Sequence, residues 1–158
     1  MVAVTVLDPG PWGGKGLPGQ DDLPCDDGEP METSFHHAQG NLLIDSLVYA
    51  WNDRHDFYVA GNMFIYFSEH QIKRNDFRGP DVFVVLGTER TPRKSWVTWE
   101  EGGKRPDVVF EVISESTESV DRGEKMRLYA AVWRTPFYFI FDPETEQLDG
   151  YRLDVDRQ

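Results

Sequence analysis

The chain has 158 residues, 39% of them hydrophobic and 28% charged, which suits one soluble domain with a real core. Its 28 acids against 16 Lys plus Arg give a formal charge of −12; that balance repels phosphate backbones at long range and argues against a nonspecific nucleic-acid coating protein. No stretch reads as a membrane span or a secretory leader, and a lone cysteine, Cys25, excludes an internal disulfide framework and a cysteine-only zinc site, so a cytoplasmic protein is expected.

Residues 1–32 are rich in Gly, Pro and Asp, without sustained periodicity, and are expected to form an irregular arm, with Trp12 as its one candidate anchor. Thr33 or Ser34 can cap a helix whose apolar face runs through Leu43, Leu47 and Ala50, ending near Asn52–Asp53. His36 and His37 lie in its first turn, and neither has a metal-ligand spacing to another Cys or His. FYVAGNMFIYF over Phe57–Phe67 predicts one or two strands broken near Gly61–Asn62. A further strand follows Pro80 and runs to Leu86, with Asp81 at its start.

Gly87–Lys104 is a connection carrying Arg90, Arg93, Lys94 and Trp96. Such a basic-aromatic patch can contact phosphates and stack on bases, or it can cover the rim of a sheet, which is the favoured reading. Within this connection WVTW alternates as a short edge strand would. RPDVVFEVISEST over Arg105–Thr117 then reads as a central strand and a polar turn. Asp107, Val109, Glu111 and Ile113 share one face, and Val108, Phe110 and Val112 share the other. Apolar groups on both faces predict a strand covered on both sides. Glu124–Val132 predicts a helix on which Lys125 and Tyr129 stand one turn apart, ended by Pro136. Phe137–Phe141 and Leu148–Val155, separated by the turn DPETEQ, are the last two strands. The order predicts a mixed α/β or α+β domain built on one central sheet flanked by helices.

Glu111 carries the functional signal. A carboxylate inside a buried strand needs a cation, a hydrogen-bond partner or a raised pKa. If the strands after Asp81 and Asp107 are neighbours, their spacing of roughly 5 Å lets Asp81 and Glu111 converge. Two hard oxygen donors suit Mg2+ or Mn2+, and Lys125 can return on the next helix to offset charge growing on a phosphoryl group. Asp107 is roughly 13 Å back along the strand, placed to join the site or to fix the strand entrance. The bland alternatives are a structural ion pair at Glu111, a loop-ending Asp81, a solvated Lys125 and a packing role for Tyr129. No Gly-rich loop has phosphate-cradle spacing, and Ser114 and Ser116 lie outside any nucleophile elbow.

The ordered series RGPDVFVV, RPDVVFEVISEST, DRGEKMRLYA and FYFIFDP resembles the Uma2 family, a branch of the PD-(D/E)XK nuclease-like superfamily. The resemblance covers about residues 34–153 and places the nuclease-like domain at 33–158, behind the arm. It implies a restriction-endonuclease-like fold, DNA as partner, Mg2+ or Mn2+ as cofactor, and Asp81 and Glu111 as metal-binding carboxylates. Asp107 matches the second PD of the pattern. Ile113 stands where the superfamily usually has its lysine, and Lys125 resembles a lysine moved to the following helix. Phe35 stands where the family often has an acid beside the helix histidine. The expected activity is therefore metal-dependent hydrolysis of DNA. The competing expectations are a noncatalytic binding protein on the same fold and a structural subunit whose aromatic surface forms a homo-oligomeric interface.

Overall fold

The computed structural model describes residues 16–24, 34–68, 79–114 and 117–154. Trp12, Cys25, Thr33, Ser116 and the end of the last predicted strand at Val155 lie outside those residues. Among the described residues no helix is long and apolar enough to cross a membrane.

One five-stranded mixed sheet forms the frame, in the order β1-β3-β5-β6-β7. Its strands are β1 (Phe57–Ala60), β3 (Val82–Leu86), β5 (Val108–Val112), β6 (Phe137–Asp142) and β7 (Gln147–Arg152). β1, β3 and β5 pair antiparallel, β5 and β6 pair parallel, and β6 and β7 form an antiparallel hairpin. The parallel step demands a crossover, which a helical segment over residues 118–133 supplies (α2). The other helix, α1 (Ser34–Ala50), packs on β1, β3 and β5. A Cβ on its Gly40 would stand 3.6 Å from Val82 Cγ2, in van der Waals contact. This is the α+β architecture expected, with β5 at the centre of the sheet.

Local chemistry sets the breaks. Asn62 adopts a left-handed φ of 50°, which separates β1 from β2 (Ile65–Tyr66) and is a conformation Asn tolerates better than most residues. The β6–β7 turn is held by Asp142, whose carboxylate accepts from Glu144 N at 2.9 Å and from the Thr145 hydroxyl at 2.7 Å. α2 begins at Glu118, six residues before the helix start expected from the sequence. Ser114 and Thr117 form the local turn that admits it: Ser114 N donates to Thr117 Oγ1 at 3.0 Å, and Glu118 N to Ser114 O at 3.0 Å.

Trp96–Val97 does not line the edge of the main sheet. It forms β4, pairs parallel with β2 in a separate two-stranded sheet, and is fully buried. The segment 16–24 docks there. Leu23 packs with Tyr66 and Val97, Trp99 Nε1 donates to Pro18 O at 3.0 Å, and Tyr66 OH donates to Pro24 O at 2.5 Å. Arg93 also turns inward. Its side chain is 7% exposed, pairs with Glu101 at 2.5 Å, and lies 4.6 and 4.9 Å from the ring centres of Tyr58 and Trp96. A guanidinium held between two rings and a carboxylate serves the rim of the fold rather than a nucleic-acid surface.

The main core lies between the sheet and α2. Phe83, Val85, Val109, Tyr138 and Ile140 from the strands meet Tyr129 and Trp133 from the helix. Glu111 points into the same layer, which makes it the exception the site is built around.

Candidate active site

Antiparallel register brings the two expected carboxylates together. Val82 lies opposite Phe110, so one step further places Asp81 opposite Glu111. The ladder continues there through side chains. Asp81 N donates to Glu111 Oε2 at 3.3 Å, and Val112 N donates to Asp81 Oδ2 at 2.7 Å. Each acid thus satisfies a backbone donor of the other strand, and the exchange fixes both groups at one end of the β3–β5 pair. A close approach from β1 backs this end: a Cβ on Gly61 would stand 2.5 Å from the Asp81 carbonyl oxygen and 3.1 Å from Ile44 Cδ1. Only a residue without a side chain fits there.

α2 brings the remaining groups. Lys125 Nζ lies 3.1 Å from Glu111 Oε2 and 2.7 Å from Asp121 Oδ1. Tyr129 OH donates to Glu111 Oε1 at 2.6 Å. Asp121, Lys125, Tyr129 and Trp133 recur every fourth residue, a spacing that drifts around a regular helix of 3.6 residues per turn. Here the backbone is π-helical over Asp121–Lys125 and again over Leu128–Trp133. The wider π turns cancel that drift and keep all four side chains toward the sheet. Asp121, Tyr129 and Trp133 are buried, and the Lys125 side chain is 23% exposed.

Electrostatics follow from this crowding. Glu111 is 1% exposed. Its pKa is pushed from 4.5 up to about 8: burial raises it most, Lys125 pulls it down, and the negative charges of Asp81 and Asp121 push it up. Burial also works to lower the Lys125 pKa, but Glu111 and Asp121 outweigh it and hold the ammonium charged. Tyr129 is raised well above its ordinary value, first by burial and then by Glu111, so it remains a hydrogen-bond donor. Tyr138 is raised as well, chiefly by burial, and donates from its hydroxyl to the Asp121 carbonyl oxygen at 3.0 Å.

Asp107 stands apart from this cluster. It precedes the far end of β5, where its Oδ2 accepts from Leu86 N at 2.7 Å and its own N donates to Val84 O at 2.8 Å. That carboxylate closes the β3–β5 ladder at the end away from Glu111. Ile113 is buried in the core, and Phe35 is half exposed at the start of α1. Asp121 was not among the candidates read from the sequence. Its four-residue recurrence with Lys125 and Tyr129 was hidden because the stretch before Glu124 reads as a polar turn, with the helix expected to start only there.

The donor chemistry of this cluster fits a hard divalent cation. Asp81 and Glu111 offer carboxylate oxygens at the same end of the β3–β5 pair, and the burial and neighbouring negative charges that raise Glu111 are penalties a cation relieves. Among the described residues no three His, Cys, Asp or Glu side chains converge at metal-holding distances. A pair of carboxylates is nevertheless a common protein share for Mg2+, which completes its shell with water and substrate phosphate.

Comparison with known proteins adds a family and a fold. A family model described as "Uma2: Putative restriction endonuclease" matches residues 22–158. Among solved structures the chain resembles the crystal structure of a "putative nuclease belonging to DUF820" from Anabaena variabilis ATCC 29413. The TM-score is 0.58 at 15% identity, covering 84% of this chain and 78% of that one; at such identity the likeness is one of fold. No curated protein matches the chain.

Proposed function

Since the chain belongs to the Uma2 family, we propose that it is a divalent-metal-dependent endonuclease that hydrolyses phosphodiester bonds of DNA. The observation that carries this reading is the pair of carboxylates, Asp81 and Glu111, facing each other across β3 and β5 with the Lys125 ammonium 3.1 Å from Glu111. Asp81 and Glu111 would hold Mg2+ or Mn2+. When bound, such an ion polarises the scissile phosphate and makes a water acidic enough to supply the nucleophile. Lys125 offsets negative charge as it grows on the phosphoryl oxygens. Tyr129 fixes the rotamer of Glu111 through its 2.6 Å hydrogen bond, so the carboxylate is oriented before substrate arrives. The net charge of −12 makes binding depend on local contacts and on the cation, with steep sensitivity to salt.

Purified protein offered supercoiled, linear and single-stranded DNA with Mg2+ or Mn2+ should cleave at least one form. Glu111→Gln should abolish cleavage while the far-ultraviolet circular dichroism stays unchanged. No cleavage of any form, with either ion, across neutral to alkaline pH, would remove the catalytic reading.

Two observations favour a second reading, a noncatalytic DNA-binding protein on the same fold. Ile113 is buried where the superfamily usually keeps its lysine, and Phe35 occupies the place of an acid. Equal DNA retention by the native protein and by Glu111→Gln, with no strand scission by either, would select it.

A further inference from the structure

We infer that Asp121 is a positioning residue that pins the Lys125 ammonium in place between its own carboxylate and that of Glu111. The assignment rests on the nuclease reading only for its consequence in catalysis. The pinning itself is a statement about three side chains.

Asp121 is 1% exposed, and a buried carboxylate is tolerated when a cation answers it. Its Oδ1 lies 2.7 Å from Lys125 Nζ, closer than the 3.1 Å from that nitrogen to Glu111 Oε2. Glu111 Oε2 also faces Asp81 N, so it divides its attraction between two donors. A lysine stem of four carbons has many rotamers, and one shared contact would leave the ammonium loosely directed. The second carboxylate removes that freedom.

The turn bearing Asp121 is itself fastened to the sheet from two strands. Tyr138 OH on β6 donates to the Asp121 carbonyl oxygen at 3.0 Å. The next residue, Arg122, pairs with Asp149 on β7 at 2.8 Å, reaches Tyr151 OH at 3.3 Å, and binds Glu118 within its own helix at 2.9 Å. Asp121 is therefore a fixed post. As a buried anion it would repel a phosphate, so its effect on a phosphodiester reaction passes through Lys125 and not through substrate contact.

The test is the reactivity of Lys125 toward reductive methylation, read residue by residue by mass spectrometry, together with DNA cleavage kinetics. In the native protein Lys125 should methylate at least about tenfold more slowly than Lys94, whose side chain is 63% exposed. Asp121→Asn, or Asp121→Ser if the first variant does not fold, should raise the Lys125 rate at least about fivefold while the Lys94 rate stays constant. The same variant should lower kcat about tenfold and leave KM within about twofold, because ground-state binding does not pass through this contact. An unprotected Lys125 in the native protein, or an unchanged Lys125 rate in a folded variant, would overturn the assignment. If the native protein cleaves no DNA while Lys125 is protected and then released by Asp121→Asn, the nuclease reading fails and the positioning role stands.

Discussion

Raising the pH on the metal-free protein should destabilise it, and Glu111 sets the window. The unfolded chain gives up this proton near 4.5, whereas the folded chain keeps it up to about 8. Between those values the native state binds more protons than the unfolded state, so stability falls as pH rises. Below that window Glu111 contributes no penalty, and above it the whole penalty is present. One group can impose a slope of at most about 1.4 kcal/mol per pH unit. For a chain of this size, 1 kcal/mol corresponds to about 2–4 °C in Tm, so the slope is roughly 3–6 °C per pH unit at its steepest. Thermal melts in chelator from about pH 5 to about pH 9 would measure it. Glu111→Gln has no proton to lose at this site and should flatten the dependence across the window. Adding Mg2+ at the alkaline end should restore part of the lost Tm, because a cation replaces the proton as the partner of the carboxylate. If the native protein and Glu111→Gln show the same slope, Glu111 is not the group that titrates, and the crowding argument fails.

Three further outcomes follow from single contacts. Tyr129→Phe removes the 2.6 Å bond to a buried carboxylate and should cost about 1–3 kcal/mol in urea unfolding; a loss below about 0.5 kcal/mol would mean that water replaces the phenol. Gly61→Ala sets a Cβ against the Asp81 carbonyl oxygen, so stability should fall by about 1–3 kcal/mol and cleavage should fall with it, while full activity would show that Asp81 shifts without consequence. Arg93→Met strands Glu101, whose side chain is 17% exposed, and should cost about 3 kcal/mol by calorimetry; an unchanged Tm would return this arginine to the class of solvated surface charges.

The positions of the main strands were accessible from pattern alone. VFVVL and VVFEV are runs of β-branched and aromatic residues, and each became a buried strand of the main sheet. Glu111 announced itself because a carboxylate in such a run breaks the apolar pattern, and burial of a charge demands a partner wherever the strand goes. Lys125 and Tyr129 could be placed on one helix by their spacing.

The meeting of Asp81, Glu111 and Lys125 could be expected only on condition that the two strands are neighbours, and the pairing itself could not be read. That Asp81 faces Glu111, while Asp107 closes the other end of the same ladder, is a matter of register between strands separated by more than twenty residues of chain. A period-two pattern names the face of a residue but not the residue across from it. Asp121 escaped for a related reason: four-residue spacing gathers onto one side only when the helix widens into π turns, and packing against the sheet imposes that geometry. Arg93 reads from the sequence as a rim or phosphate-contacting residue and the segment 16–24 as part of an irregular arm. Tyr58, Trp96 and Glu101 turn the first inward, and Tyr66, Val97 and Trp99 receive the second. Composition and periodicity thus determined which segments are strands and which acid is out of place, because those depend on neighbours along the chain. Which groups meet that acid was decided by contacts between distant segments, whose energies no local window contains.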